Sequence, residues 1–155
     1  MNDFDDEPVN SRPVAPRVLV ADDNQLIRRI TEALLLRCGA LVSLAGNGIE
    51  ALELLRQETF EVALLDIRMP FVGGLEIVSL VRASPEAYKC VPTFVGMSAS
   101  PAEEQIQLCL QCGMSDYLCK PVSQSDLAKG LVRWCYLAQS STLEGSKIER
   151  GHEDE

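Results

Sequence analysis

Between Arg17 and Gln139 the chain alternates short, unbroken apolar runs with longer segments whose apolar residues recur at helical spacing. Val18-Leu19-Val20-Ala21 is the first run, and it stops at the paired acids Asp22-Asp23. Leu26, Ile27, Ile30, Ala33 and Leu34 then share one helical face as far as Cys38-Gly39, where glycine suits a helix C-terminus. Leu41 to Leu44 is a second, short run, and Asn47 followed by Glu50 opens a helix carrying Ala51, Leu52 and Leu55. Val62 to Leu65 is the third strand, closed by Asp66, with Leu75, Val78 and Val81 marking the next helix. Thr93 to Met97 is a fourth strand behind Pro92. Ser100-Pro101-Ala102-Glu103 predicts a helix start, with a hydroxyl cap, proline at the first helical position and an acid. That helix carries Ile106 and Leu110 and ends at Gly113. Asp116 to Cys119 is a fifth strand, and Ser123 to Asp126 opens a fifth helix with Leu127, Leu131 and Trp134.

Strands that are apolar at every position are covered on both faces. Five strand–helix alternations of this kind predict a parallel sheet between helices, an α/β (βα)5 domain over residues 17–139. The formal charge of −9 sits disproportionately at the ends. Residues 1–17 hold four acids and two bases, and residues 144–155 hold five acids and two bases, so only −4 of the −9 is left between them. Residues 1–16 and 140–155 are therefore expected to be disordered, acidic or polar tails. With no basic patch, direct nucleic-acid binding is not expected. No apolar run approaches the roughly 20 residues that span a bilayer, and the acidic start lacks the pattern of a secretion signal. The expectation is a cytoplasmic or nuclear chain without membrane insertion.

Six cysteines invite a metal or disulfide reading. Cys109 and Cys112 form a lone C-x2-C within a helical pattern, and the single histidine, His152, lies in the C-terminal tail. A zinc centre needs a second such pair, and disulfides need an oxidising compartment, so all six thiols read as reduced and mostly as small apolar core residues.

The polar residues that interrupt the pattern fall at the strand ends. Asp22 and Asp23 close the first strand, Asp66 the third, Ser98 follows the fourth and Lys120 the fifth. In an open parallel sheet these carboxyl ends form the ligand-binding rim. Clustered carboxylates repel unless a hard cation neutralises them, and Mg2+ is commonly held by a few carboxylates and waters. One carboxylate can then act as a nucleophile toward a phosphoryl group, with a lysine and a hydroxyl contacting the phosphoryl oxygens. Asp66 is the candidate acceptor.

These residues carry a resemblance. Asp22-Asp23, "DIRMP" (Asp66 to Pro70), "MSAS" (Met97 to Ser100) and "YLCKP" (Tyr117 to Pro121) are similar, in sequence and placement, to the receiver domain of two-component response regulators. The resemblance spans about Arg17 to Gln139 and implies a flavodoxin-like, doubly wound five-stranded sheet of order 2-1-3-4-5. It implies that Asp66 takes the phosphoryl group from a histidine kinase or histidine phosphotransfer protein. Asp22, Asp23, Asp66 and the backbone carbonyl of Arg68 would hold Mg2+, Lys120 would contact the phosphoryl oxygens, and the Lys120–Pro121 bond would be cis. Ser98 and Tyr117 would act as the switch pair, Arg68 and Ser100 would tune the phosphate lifetime, and the helix 4–strand 5–helix 5 surface would change and support a homodimer. One departure is Gly73 before Gly74, where the family often has an acid.

An aspartate-based phosphatase would need an acid two residues after the nucleophile, where this chain has Arg68, and a flavin phosphate would be repelled by Asp22-Asp23. The chain therefore reads as a signalling phosphoacceptor that catalyses only its own phosphorylation and dephosphorylation. The alternative is a phosphorylation-silent pseudo-receiver acting as an interaction module. It is either a stand-alone regulator or the receiver of a hybrid histidine kinase, tethered to a membrane only in the second case.

Overall fold

Five strands, β1 (Arg17–Ala21), β2 (Leu41–Ala45), β3 (Val62–Asp66), β4 (Thr93–Ser98) and β5 (Asp116–Cys119), pair in parallel in the order β2-β1-β3-β4-β5. The structure is a computed structural model that describes residues 15–99 and 102–154, with side chains described as far as residue 139. Five helices connect and follow the strands: α1 (Gln25–Arg37), α2 (Gly48–Gln57), α3 (Gly74–Ala83), α4 (Glu103–Cys112) and α5 (Gln124–Asp154). This is the predicted order: β1, β3 and β4 are buried along almost their whole length and take the central positions, while the more exposed β2 and β5 form the edges.

Alternate residues of the central strands feed two cores. Leu19, Ala21, Ala63, Leu65 and Phe94 face α2, α3 and α4, where Leu55, Ile77 and Val81 meet them. Val18, Val20, Leu64 and Met97 face the other way, onto Leu35 of α1 and Leu127 and Trp134 of α5. Burying an apolar side chain of this size is worth roughly 1.5–3 kcal/mol, so two continuous cores hold the strand ends in fixed relation. A buried hydrogen bond from Thr93 Oγ1 to the Trp134 carbonyl, 3.0 Å, pins α5 to the start of β4.

Local chemistry sets most helix ends as expected. Asn47 Oδ1 accepts from Glu50 N at 2.8 Å, and Ser123 Oγ accepts from Asp126 N at 3.0 Å. Gly39, at φ +88°, supplies the left-handed turn after α1. One start differs. The sequence pattern caps the fourth helix at Ser100 and starts it at Pro101, whereas α4 begins at Glu103, after Ala102 in an extended conformation with no side-chain cap. Acidic Glu103 and Glu104 in the first turn complement the helix dipole instead. A short 3-10 turn at Pro85–Ala87 was not legible in the pattern.

The tail expected over residues 1–16 lies almost wholly outside the described residues. The one expected from residue 140 overlaps the backbone helix of α5. No helix among the described residues is long and apolar enough to cross a membrane.

Candidate functional site

Strand register brings the polar strand ends together. Ala21 lies opposite Leu65, so Asp22 leaves β1 level with Asp66 at the end of β3. Asp66 lies opposite Met97 and Ser98 opposite Cys119, so Ser98 and Lys120 emerge beside it on the next two strands. The Lys120 amide extends the ladder by donating to the Ser98 carbonyl at 2.8 Å. The Lys120–Pro121 peptide bond is cis.

Asp22 is fully buried, and each of its carboxylate oxygens has a partner. Oδ1 accepts from the Asn24 amide at 2.9 Å, and Oδ2 lies 2.8 Å from Lys120 Nζ. Asp66 is buried as well, with Oδ1 accepting from the Arg68 amide at 3.1 Å and Oδ2 3.1 Å from the same Nζ. Asp23 is exposed, and one carboxylate oxygen from each of Asp22, Asp23 and Asp66 lies within 4.8 Å of the others.

Burial pushes the Asp66 carboxyl up to about 6; Lys120 opposes this and the neighbouring Asp22 adds to it. Burial alone would lower the Lys120 ammonium, but its hydrogen bonds to Asp22 and Asp66, with their charges, outweigh this and raise it. One ammonium among three carboxylates leaves two negative charges at the rim when all are ionised. A hard, all-oxygen donor set with that residual charge fits a divalent cation such as Mg2+.

Ser98 is buried at the end of β4, and Tyr117 is partly buried on β5 against the core that includes Phe94. Burial raises the Tyr117 hydroxyl, and Ser98 opposes the shift. Arg68 is exposed, with its amide toward Asp66. Ser100 lies outside the described residues.

Two features of the rim carried no signal in the sequence reading. Arg28 of α1 donates from Nη1 to the Asp22 carbonyl at 2.7 Å. Phe71, in the loop after Asp66, has φ +69°, and the Val72 amide donates across it to the Pro70 carbonyl at 2.8 Å, a three-residue γ-turn rarely formed by a bulky residue.

Residues 18–131 match the family model described as the response regulator receiver domain. The chain is 36% identical over 118 residues to the CAI-1 autoinducer sensor kinase/phosphatase CqsS of Vibrio cholerae, an alignment covering 76% of this chain and 17% of that protein. It thus spans about a sixth of that curated relative. Among solved structures it resembles the receiver domain of a sensor histidine kinase from Pseudomonas aeruginosa, solved with a magnesium ion coordinated in the active site cleft. The TM-score is 0.69 and the identity 28%, covering 78% of this chain and 98% of that one. It shares its fold with the receiver domain of the Saccharomyces cerevisiae response regulator Ssk1, co-crystallised with the histidine phosphotransfer protein Ypd1. There the TM-score is 0.71 at 24% identity, covering 81% of this chain and 93% of that one. This chain belongs to the response regulator receiver domain family of two-component signalling.

Proposed function

We propose that the chain is a phosphorelay receiver in which Asp66 accepts a phosphoryl group from a phosphohistidine partner. The observation that carries this reading is the single ammonium of Lys120 set between the buried carboxylates of Asp22 and Asp66, with Asp23 beside them. An Asp66 oxygen attacks the phosphorus, the phosphorus–nitrogen bond to the donor imidazole breaks, and an acyl phosphate forms on Asp66. Mg2+ bound by Asp22, Asp23, Asp66 and the Arg68 carbonyl would supply positive charge to the phosphoryl oxygens. Lys120 contributes a second, fixed cation, and the Arg68 amide holds the attacking carboxylate in orientation.

Charge gained at Asp66 draws on Ser98 and Lys120, and Ser98 is also the polar group that lowers the Tyr117 hydroxyl against its burial. A Ser98 that turns toward the phosphoryl group leaves Tyr117 free to move inward. The surface of α4, β5 and α5 is thereby re-formed for an output partner or a second copy of the chain. Water later hydrolyses the acyl phosphate, at a rate that Arg68 and Ser100 tune, so the domain resets itself. The partner would be a histidine kinase or histidine phosphotransfer protein. Leu26 (69% exposed), Ile30 (47%) and Phe71 (95%) offer it apolar contacts on α1 and on the loop after Asp66. The receiver is either free-standing or part of a hybrid histidine kinase, working in the cytoplasm or nucleus.

Intact-mass spectrometry after incubation with Mg2+ and acetyl phosphate, beside Asp66→Asn, tests the reading. One hydroxylamine-labile phosphoryl adduct that needs Mg2+ and is missing from the variant supports it. No adduct from acetyl phosphate or from phosphohistidine donors would leave a pseudo-receiver that only binds partners.

A further inference from the structure

Asp23 differs from the other two acids of the cluster. It is exposed, and among the described residues its carboxylate makes no ion pair or side-chain hydrogen bond. The region its carboxylate can reach is therefore set by the backbone from which it springs. That backbone is held at Asp22 from three sides. The Asp22 amide donates to the Ala45 carbonyl at 3.1 Å, Asp22 Oδ1 takes the Asn24 amide, and the Asp22 carbonyl takes Arg28 Nη1 at 2.7 Å.

The last of these bonds acts on Asp23 directly. The Asp22 carbonyl and the Asp23 amide belong to one rigid peptide plane, so fixing the carbonyl fixes the plane that carries Asp23. Arg28 is itself positioned. Its guanidinium passes Gly46 so closely that a Cβ there would sit 3.2 Å from Nη1, and the Gly46 amide in turn donates a hydrogen bond to Glu50 Oε1 at 2.7 Å. Arg28 forms no ion pair among the described residues, so a backbone carbonyl is what this cation serves.

We propose that Arg28 is a positioning residue for the divalent cation, orienting Asp23 through the Asp22 peptide plane. The proposal rests on reading the three-carboxylate cluster as a Mg2+ site. Charge and geometry predict opposite signs here. As a nearby positive charge Arg28 opposes a dication, so its removal on electrostatic grounds alone would tighten Mg2+ binding. As a positioning group its removal loosens binding.

The test is Mg2+ affinity of the full chain by calorimetry, with Mn2+ electron paramagnetic resonance as a second readout and thermal melting of the metal-free protein as a folding control. Arg28→Met should weaken Mg2+ binding by about three- to tenfold, the equilibrium weight of one hydrogen bond. Gly46→Ala keeps the charge but displaces the guanidinium, and should weaken binding in the same direction; Arg28→Lys should recover part of the loss. In an Asp23→Asn background, Arg28→Met should have no further effect, a coupling that a general structural role would not produce. Mg2+ binding that is unchanged or tighter in Arg28→Met overturns the proposal, as does an undiminished Arg28 effect in Asp23→Asn. Wild-type protein that binds no Mg2+ at millimolar concentration overturns the metal-site reading as well.

Discussion

Lys120 Nζ stands 3.1 Å from Asp66 Oδ2, yet the contact does not offset the burial of the acid, whose carboxyl is pushed up to about 6. Unfolded, the same group would titrate near its ordinary 3.8. Between those values the folded chain holds a proton that the unfolded chain has released. The contribution of Asp66 to stability therefore falls as pH rises from about 4 to about 6, then stays low. Asp66→Asn, uncharged throughout, should stabilise the metal-free protein at pH 7 by an amount on the order of 1–3 kcal/mol. Urea unfolding from pH 4 to 8 checks this, because the gain must shrink toward pH 4. An equal gain at every pH would mean that Asp66 is not the strained group.

Removing the cation should have the opposite effect. Lys120 is the one ammonium between two buried carboxylates, and taking away one partner of a buried charge set typically costs roughly 3–5 kcal/mol. Lys120→Met should therefore lower the melting temperature of the metal-free protein at neutral pH, and millimolar Mg2+ should restore much of it by neutralising the same acids. Its phosphorylation by acetyl phosphate should stay at least tenfold slow even in Mg2+, since a bound dication does not replace the lysine at the phosphoryl oxygens. Melts with and without chelator, paired with adduct kinetics, separate the two effects.

Phe71 is the most exposed large apolar residue described, and it occupies a backbone conformation that glycine adopts more easily. Phe71→Gly relieves the turn but frees the unfolded chain, so stability should change by less than about 1 kcal/mol. Phosphotransfer from a phosphohistidine protein should slow about tenfold, as loss of an exposed aromatic anchor does at interfaces, while acetyl phosphate should react at the wild-type rate. Equal slowing with both donors would place Phe71 in the chemistry and not in docking.

The strand ends were readable because an apolar run that halts on a carboxylate is abrupt. Val62 to Leu65 followed by Asp66 admits few structural explanations, and parallel register then has to gather such ends on one rim. Arg28 was not readable, because its partner is a backbone carbonyl and no residue type announces that. The Phe71 turn escaped because positive φ is normally signalled by glycine or asparagine. Ser100-Pro101 fits the grammar of a helix start, but that grammar records preference, and α4 begins two residues later than it indicates.

Gly130 was equally silent, a small residue inside a helix that would gain about 1 kcal/mol of intrinsic propensity from alanine. The structure reverses the sign. The fully buried Trp134 ring folds back over Gly130, where a Cβ would lie 2.3 Å from ring carbons. The ring cannot simply step aside. Its Nε1 donates to Asp116 Oδ2 at 2.8 Å, an oxygen that Arg133 also contacts, and Asp116 Oδ1 accepts the Tyr117 amide at 2.8 Å. Gly130→Ala should therefore destabilise the domain by about 1–3 kcal/mol, the usual cost of overpacking, and shift the emission of its only tryptophan. Trp134→Leu in the same background removes the clash, so the alanine should then stabilise. A stabilised single Gly130→Ala with unchanged emission would show that Trp134 does not hold α5 against Asp116, and that β5 and α5 move independently.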